Sequence, residues 1–477
     1  MSQIMWFRRD LRIADNPALL AAISQAKEDA NSQVLPLYVL GRRTWAAMSA
    51  VQKHYLASSL ASLNDSLGGA LVFKFGDARE IIAALAVQIG ATKVHAAQLH
   101  TPNAIARDAE VEASLTKVGC ELAFTGSAYA VAPGRVTKDD GTFYKVYTPF
   151  YKNWLKHGWR QPAGAPEISE NWVTDIASDQ IPELPELTGI TLPAAGERAA
   201  LARWEHFKVF GLADYADNRN RPDLDGTSTL STALRFGEVH PRTLLADLDD
   251  SPGHEVFRKE IAWREFYADI LFNRPDTTTG YYNATYQAMH YDNGDLAQQR
   301  FTAWANGTTG YPLVDAGMRQ LRTTGWMHNR VRMVVASFLI KDLHLEWTLG
   351  AEHFAQWLTD FDVASNSHGW QWTAGCGTDA SPYYRVFNPI GQAIKFDPTG
   401  DYVRKYIPEL RHIEGAAVHE PWLTHDGLAN GYPEPIVNHA AERLEALARL
   451  EKLPKGKVQS AINPGANDQS KLIQSFE

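Results

Sequence analysis

The sequence predicts two domains of different classes, an N-terminal α/β domain and a large all-helical C-terminal domain. Three observations indicate this division: short apolar runs alternate with amphipathic stretches over residues 1–130, residues 131–200 contain Pro- and Glu-rich segments, and helical periodicity dominates residues 201–450. A chain of 477 residues is also too long for one ordinary hydrophobic core. We therefore expect a connector between the two domains, and a polar, frayed tail over residues 451–477.

In the N-terminal domain, strands are predicted at the apolar runs QIMWFRR, VLPLYVL, ALVFKF, KVHAAQL and CELAFTG. Helices are predicted between them at NPALLAAISQA, at residues 50–65, at IIAALAVQIG and in an Ala- and Glu-rich segment. This alternation predicts a doubly wound parallel sheet with helices on both faces. No GxGxxG follows the first strand and no Walker A sequence occurs, so a standard dinucleotide or P-loop site is not indicated.

The connector and the helical domain carry their own signals. QPAGAPEISENW and IPELPELTGITLPAAGE lack sustained periodicity, as is typical of a linker. In GYPLVDAGMRQLR, Pro312 suits the first turn of a helix, and Gly325 suits its end. We therefore expect a helix between these two residues.

Composition narrows the class of protein. The sequence contains no apolar run of membrane-spanning length and its start lacks the layout of a signal peptide, so we expect a cytoplasmic protein. Two cysteines, Cys120 and Cys376, leave no disulfide framework or cysteine metal cluster. The net charge of −9 argues against a protein coated in positive charge, but a local basic face remains open. Seven of the 14 tryptophans lie close together in sequence: Trp263, Trp304, Trp326, Trp347, Trp357, Trp370 and Trp372.

Two helical stretches combine polar and aromatic residues on one face. In KEIAWREFY, Glu260, Trp263 and Arg264 share a face, which fits either an intrahelical Glu–Arg pair beside a core Trp or the lining of a pocket. In WMHNRVRMVVASF, Asn329 and Met333 share a face opposite an apolar stripe. Asn329 fits a satisfied buried amide or a ligand contact. The stripe consists of Val331, Val334, Val335 and Phe338.

Two further stretches contain groups suited to a ligand. Asp360 and Asp362 precede SNSHGWQW without a third metal ligand at suitable spacing, so a salt bridge to Arg332 or a hydrogen bond to a ligand imide is favoured over a metal site. In DGTSTLSTALRF, several hydroxyls lie where a helix is predicted to begin. Such a segment suits phosphate, although hydroxyl caps are common at helix starts. These hydroxyls belong to Thr227, Ser228, Thr229 and Ser231.

Taken together and in order, eight motifs closely resemble the photolyase/cryptochrome flavoproteins, and most specifically the class I cyclobutane pyrimidine dimer photolyases. They are FRRDLRIADNPAL, DGTSTLS, WREFY, GYPLVDAGMRQL, GWMHNRVRM, SNSHGWQW, GTDASPYYRVFNP and KFDPTGDYVRKYIPEL. The resemblance extends through both predicted domains. It implies an N-terminal antenna domain, a long connector, and a helical domain that holds FAD and binds DNA.

The resemblance also implies the residues that hold FAD. Arg332 and Asp360 are expected to form an ion pair over the isoalloxazine, and Asp362 to accept a hydrogen bond from the ring imide. Asn366 is expected to face the reactive ring nitrogen, where a neutral amide suits a repair enzyme. The complete set implied for the cofactor is Tyr215, Thr227, Ser228, Thr229, Leu230, Ser231, Arg332, Asp360, Asp362 and Asn366.

The substrate implied is a pyrimidine dimer flipped out of DNA into an aromatic pocket. Trp263 and Trp372 are expected to form its walls with Met333 beside them, and Glu260 and Asn329 to bind the pyrimidine edges. Met333, where photolyases for six-four photoproducts carry His, favours the cyclobutane dimer. Phosphate contacts that do not read sequence are implied for Arg219, Arg264, Arg330 and Arg385.

Light chemistry in this family uses two further groups of residues. Trp370 and Trp347 match the first two members of a tryptophan relay to FAD, and Tyr291 is the candidate for its third, outer member. Folate-binding members carry a Glu where Ala104 is the nearest aligned residue. The antenna chromophore therefore stays open between a deazaflavin, folate and none.

The resemblance favours light-driven dimer repair by a DNA-binding monomer, and two other functions are possible interpretations of the same sequence. A cryptochrome-like photoreceptor is expected to have a long C-terminal extension and to lack the dimer-contacting residues, whereas this tail is short and those residues are present. A non-photochemical flavin oxidoreductase is expected to carry a nicotinamide fingerprint, and none is visible. Repair is therefore the function that the sequence favours.

Overall fold

Strands and helices alternate in the N-terminal part of the chain, as the sequence predicts. The structure is a computed structural model that describes residues 2–29, 32–167, 171–379 and 384–454. The part of the predicted tail beyond residue 454 lies outside the described residues, and the predicted domain limits stay predictions. The N-terminal strands are β1 (Ser2–Phe7), β2 (Val34–Leu40), β3 (Val72–Phe75), β4 (Ala91–Gln98) and β5 (Glu121–Ser127). The helices among them are α1 (Pro17–Glu28), α2 (Arg42–Ala47), α3 (Ala50–Ser66), α4 (Ala78–Ile89) and α5 (Pro102–Lys117).

The five strands form one parallel sheet in the order β3-β2-β1-β4-β5. Ile4 on the central strand aligns with Leu35 on one side and Val94 on the other. Successive side chains of a strand point to opposite faces, so Ile4 and Trp6 pack with α4 and α5, while Met5 and Phe7 pack with α1 and α3. Helices thus cover both faces, and the predicted doubly wound α/β class is confirmed.

The segment between the sheet and the helical domain forms backbone hydrogen bonds with both of them. The Val34 N–H donates to Asn171 O over 3.1 Å, and the Val173 N–H donates to Val34 O over 3.0 Å, so this chain segment lies beside β2. Further on, the Thr191 N–H donates to Thr323 O over 2.9 Å. The segment therefore contacts both the sheet and the helical part of the chain.

The described residues after β5 are predominantly helical, as predicted for residues 201–450, but one helix, Tyr147–His157, also forms within residues 131–200, which were predicted as a connector. Pro312 begins a helix, and Gly325, with φ of +66°, follows its last residue. The remaining α-helices are α6 (Tyr147–His157), α7 (Glu197–Phe210), α8 (Tyr215–Asn218), α9 (Ser231–Phe236), α10 (Pro241–Ala246), α11 (Pro252–Asn273), α12 (Gly294–Asn306), α13 (Pro312–Thr324), α14 (Asn329–Lys341), α15 (Trp347–Trp357), α16 (Val363–Ala374), α17 (Pro389–Phe396), α18 (Asp401–Tyr406) and α19 (His439–Glu451). Short 3-10 helices occupy Pro275–Thr278, Ala284–Ala288, Pro408–Leu410, Gly415–His419 and Pro421–Leu423.

Helix α16 packs against α11, α14 and α15, and these four helices carry most of the predicted site residues. The apolar stripe of α14 is buried as predicted, which directs the opposite face of that helix toward the site. In the described part of the chain, no helix combines the length and apolar character that a bilayer crossing requires.

Candidate functional site

The predicted ion pair between Arg332 and Asp360 is present. Arg332 Nη2 donates to Asp360 Oδ2 over 2.7 Å, while Arg332 Nε donates to Met327 O over 2.8 Å. The second Asp360 oxygen, Oδ1, is buried and has no hydrogen-bond partner among the described residues. Since a buried oxygen of this kind is costly without a donor, the geometry fits a ligand that donates a hydrogen bond here.

Asp362 caps the N-terminus of α16 and is paired with a residue of the N-terminal domain. Its Oδ1 accepts from the Ser365 N–H over 3.1 Å, and Arg9 Nη2 donates to Oδ2 over 2.7 Å. Burial opposes ionisation of Asp362, yet Arg9, followed by Arg264, holds its pKa below the usual carboxyl range. Asp362 is therefore an anionic acceptor, as its predicted role requires.

Arg9 is a residue that sequence reasoning missed. It lies in FRRDLR, which contributed to the family resemblance, but no spacing rule links positions 9 and 362. One turn after Asp362, Asn366 Nδ2 donates to Ala351 O over 3.1 Å, which fixes the orientation of the amide. Asp362 and Asn366 thus lie on one face at the start of α16.

The hydroxyl-rich segment forms a loop that leads into α9. Thr229 adopts φ of +49°, and its carbonyl oxygen accepts from Arg203 Nη1 over 3.1 Å. Ser231 begins the helix and accepts from Trp326 Nε1 over 3.1 Å. Tyr215, on α8, is buried edge-on against Phe207 with ring centroids 5.6 Å apart. Together with the unpartnered Asp360 oxygen, the polar groups of this loop and Tyr215 fit the predicted FAD set.

Glu260 lies at a second cluster of charges. Its Oε1 accepts from Arg219 Nη1, and Arg330 also acts on it electrostatically. Burial raises the pKa of Glu260, while Arg219 and Arg330 oppose that rise. The alternative of an intrahelical pair between Glu260 and Arg264 is wrong, because Arg264 donates to Ala128 O over 3.1 Å and to Leu234 O over 3.3 Å.

The residues predicted to form the substrate pocket lie on three neighbouring helices. Trp263, on α11, stacks on Tyr147 with ring centroids 3.7 Å apart and planes 6° apart. On α14, Asn329 is exposed and Met333 is half-buried one turn further on. Trp372, on α16, is half-buried and lines a cleft with Lys341, whose pKa burial lowers to about 7. An exposed amide and partly covered rings fit a binding surface better than a closed core.

The four predicted phosphate-binding arginines differ in what they contact. Arg330 donates to Asn220 Oδ1 over 2.8 Å and lies 4.6 Å from the centroid of the Phe396 ring. Arg385 is exposed, and Arg219 is half-exposed at 38% beside Glu260. Arg264 instead donates inward to two carbonyls and lies over Tyr129. Arg385 and Arg219 are therefore near solvent, Arg330 is half-buried against Asn220 and Phe396, and Arg264 joins parts of the fold.

The two predicted relay tryptophans lie on adjacent packed helices. Trp347, at the start of α15, is 1% exposed, and Trp370, on α16, is 2% exposed. Gly350, on α15, permits the Trp370 ring to pack closely against this helix, because a Cβ at position 350 would overlap the ring.

In the N-terminal domain, Ala104 is buried on α5, so this position presents no acidic group to an antenna. No described cluster of three or more His, Cys, Asp or Glu side chains is placed to hold a metal ion.

Comparisons with known proteins cover both parts of the chain. A family model described as DNA photolyase matches residues 3–167, and one described as the FAD binding domain of DNA photolyase matches residues 257–452. A protein named deoxyribodipyrimidine photo-lyase from Escherichia coli is 37% identical over 96% of this chain and its own whole length. One of the same name from Synechococcus is 37% identical over 94% of this chain and 96% of its own.

Solved structures give the same result for the fold. A bacterial class III photolyase from Agrobacterium tumefaciens is 36% identical with a TM-score of 0.86, covering 94% of this chain and 97% of its own. An archaeal photolyase from Sulfolobus tokodaii with two FAD molecules is 28% identical with a TM-score of 0.81, covering 95% and 100%. A Synechocystis cryptochrome is 27% identical with a TM-score of 0.82, covering 94% and 98%. The class within the family stays a prediction.

Proposed function

Because this chain belongs to the DNA photolyase family, we propose that it is a deoxyribodipyrimidine photolyase, which uses light and FAD to repair cyclobutane pyrimidine dimers in DNA. The observation that carries the residue assignment is the Arg332–Asp360 ion pair, with an unpartnered carboxylate oxygen beside it. Asp360 lies two residues before Asp362, and α14, which carries Arg332, packs against α16, which carries Asn366. The arrangement supplies acceptors and an amide to one side of a planar, polar ring.

The chain's own residues hold and orient the cofactor. FAD, when bound and reduced, would absorb the light and supply the dimer with one electron, which the split pyrimidines return, so no net redox change results. Asp362, kept anionic by Arg9, accepts from the ring imide, and Asn366 presents a neutral amide that tolerates an anionic ring. The Thr227–Ser231 loop and Tyr215 bind the diphosphate and ribityl chain through hydroxyl and backbone donors.

The lesion enters a pocket between α11, α14 and α16. Trp263 and Trp372 stack against the flipped dimer beside Met333, and Glu260 and Asn329 bind its carbonyl and amide edges. Burial favours the protonated form of Glu260, while Arg219 and Arg330 oppose it. In its protonated form Glu260 would donate a hydrogen bond to a dimer that gains negative charge.

DNA binding depends on a local basic rim on an acidic protein. Arg219, Arg330 and Arg385 contact phosphates, which gives salt-dependent affinity without sequence preference. Arg264 is not assigned to a phosphate, because its guanidinium donates to two backbone carbonyls. It joins segments of the fold and helps to lower the pKa of Asp362. The residue roles and the monomeric state are parts of this proposal. The second chromophore stays open.

Repair of a defined lesion tests the proposal. Chemically reduced holoprotein is mixed with an oligothymidine that contains cyclobutane dimers, and the return of thymine absorbance is followed under blue light and in darkness. We expect recovery only in light. Absence of recovery with FAD bound and reduced would reject repair and favour a photoreceptor, the function that the similarity to a cryptochrome suggests.

A further inference from the structure

Trp347 is a buried indole that cannot easily lose a proton. Its ring is 1% exposed, and its Nε1 is buried without a hydrogen-bond partner among the described residues. An indole that has lost an electron becomes acidic at this nitrogen, but deprotonation requires an acceptor. Without one, an oxidised Trp347 remains a cation radical, which is a strong oxidant toward a neighbouring ring.

Tyr281 is a neighbouring ring that does have a proton acceptor. Its centroid lies 5.9 Å from that of Trp347, with the ring planes at 89°. Its hydroxyl donates to Glu346 Oε1 over 2.8 Å. Glu346 directly precedes Trp347 in the chain, so the helix start that positions the indole also positions the carboxylate.

The surroundings of the Tyr281 hydroxyl favour neutral phenol in the resting protein. Burial raises its pKa, and the neighbouring Tyr291 and Glu346 raise it further. Loss of an electron reverses this preference, because an oxidised phenol is a strong acid. A carboxylate already hydrogen-bonded to the hydroxyl can then take the proton without any rearrangement.

We propose that Tyr281 is the terminal electron donor of the relay, with Glu346 as its proton acceptor. The inference rests on the proposed function and on the relay that the family resemblance implies, in which Trp370 and Trp347 pass electrons to light-excited, oxidised FAD. In the proposed step, one electron moves from Tyr281 to the Trp347 cation radical, and the phenolic proton moves to Glu346 Oε1. The products are neutral Trp347, a neutral tyrosyl radical and a protonated Glu346, so charge and electrons balance.

This assignment differs from the one that sequence alone favours. Tyr291 is the outer member expected from the motifs, but it lies beside Tyr281 in the same core cluster, and it is Tyr281 that makes the ring contact with Trp347. Tyr281 and Glu346 are both partly exposed, so the proton can pass from Glu346 to solvent. Trapping the proton away from the phenol slows return of the electron to Trp347.

Flash photolysis of holoprotein with oxidised FAD tests the proposal. In the unchanged protein we expect a tryptophan radical, followed by a neutral tyrosyl radical seen in transient absorption and electron paramagnetic resonance. Formation of the tyrosyl radical is expected to be slower in D₂O. Tyr281→Phe should remove the tyrosyl signal, whereas Tyr286→Phe, a change of the same kind in a nearby phenol, should retain it.

Two further variants keep the test decisive. Glu346→Gln preserves a hydrogen-bond acceptor but removes the base, so tyrosyl formation should slow by about a hundredfold. Tyr291→Phe distinguishes the two candidates: loss of the tyrosyl signal in this variant, with retention in Tyr281→Phe, would overturn the assignment. Dimer repair by chemically reduced, unchanged protein reports separately on the proposed function, because that reaction does not use the relay.

Discussion

Arg9 Nη2 lies 2.7 Å from Asp362 Oδ2, so a residue that follows the first strand of the sheet pairs with the carboxylate that caps α16. The side chains are 16% and 13% exposed, respectively. This contact joins the α/β domain to the turn that carries the predicted flavin-binding groups. A change in the N-terminal domain is therefore expected to reach the flavin site through this ion pair.

Arg9→Gln should destabilise the apoprotein at neutral pH by about 3 kcal/mol, because it leaves a largely buried carboxylate without its closest cation. The folded-state pKa of Asp362 is depressed, so the pair stabilises the protein above the ordinary carboxyl range and the contribution is lost as pH falls through the folded-state pKa. Urea unfolding at several pH values measures both effects. Lys93→Gln, which removes the exposed pair with Glu121, should cost less than about 1 kcal/mol.

Arg332→Gln should weaken FAD binding by about tenfold or more, since it leaves Asp360 buried and unpaired next to the flavin site. Equilibrium dialysis of the apoprotein against FAD gives the dissociation constant. The matched control is Arg322→Gln, which removes a charge from the last turn of α13. Equal losses in the two variants would indicate a general charge effect and contradict the assignment of Arg332.

Arg219→Gln and Arg385→Gln should each weaken binding to undamaged duplex DNA and lower the slope of log affinity against log salt by about one. Arg264→Gln should leave that slope unchanged, because its guanidinium donates to Ala128 and Leu234 carbonyls. Fluorescence anisotropy at several salt concentrations measures the slope. A reduced slope for Arg264→Gln would return this residue to the phosphate-binding set.

Glu260→Ala should reduce the dimer repair yield per absorbed photon severalfold, whereas Glu260→Gln should retain more of it. The amide can still hydrogen-bond to the pyrimidine, and alanine cannot. Both variants are assayed as reduced holoprotein with the same oligothymidine. If Glu260→Ala repairs as efficiently as the unchanged protein, Glu260 does not contact the dimer during electron transfer.

Gly350→Ala should destabilise the apoprotein by about 1–3 kcal/mol, because its Cβ would overlap the Trp370 ring. Gly369→Ala is the matched control on α16: a methyl group there would meet no atom of another element within 4 Å, so helix propensity should stabilise that variant by up to about 1 kcal/mol. Thermal unfolding of the two apoproteins gives opposite expected signs. Stabilisation by Gly350→Ala would contradict the close packing of α15 on Trp370.

The sequence by itself determined the features that depend on neighbours in the chain. Alternation of apolar and amphipathic segments predicted the sheet and its two helical layers, and the pair Pro312 and Gly325 predicted the limits of α13. The apolar stripe of α14 was also correct. These features follow from backbone geometry and from periods of two and 3.6 residues, which a linear pattern contains. The family motifs added the Arg332–Asp360 pair.

Only the tertiary structure decided which partners meet across the chain. Arg9 reaches Asp362 over 353 positions in sequence, Glu260 pairs with Arg219 instead of Arg264, and the Tyr281 ring contacts that of Trp347. Helical spacing brought Glu260 and Arg264 to one face, but it could not reveal that carbonyls of other segments would compete for the guanidinium. Ion pairs and ring contacts depend on how separate helices and loops pack, and no local pattern contains that information.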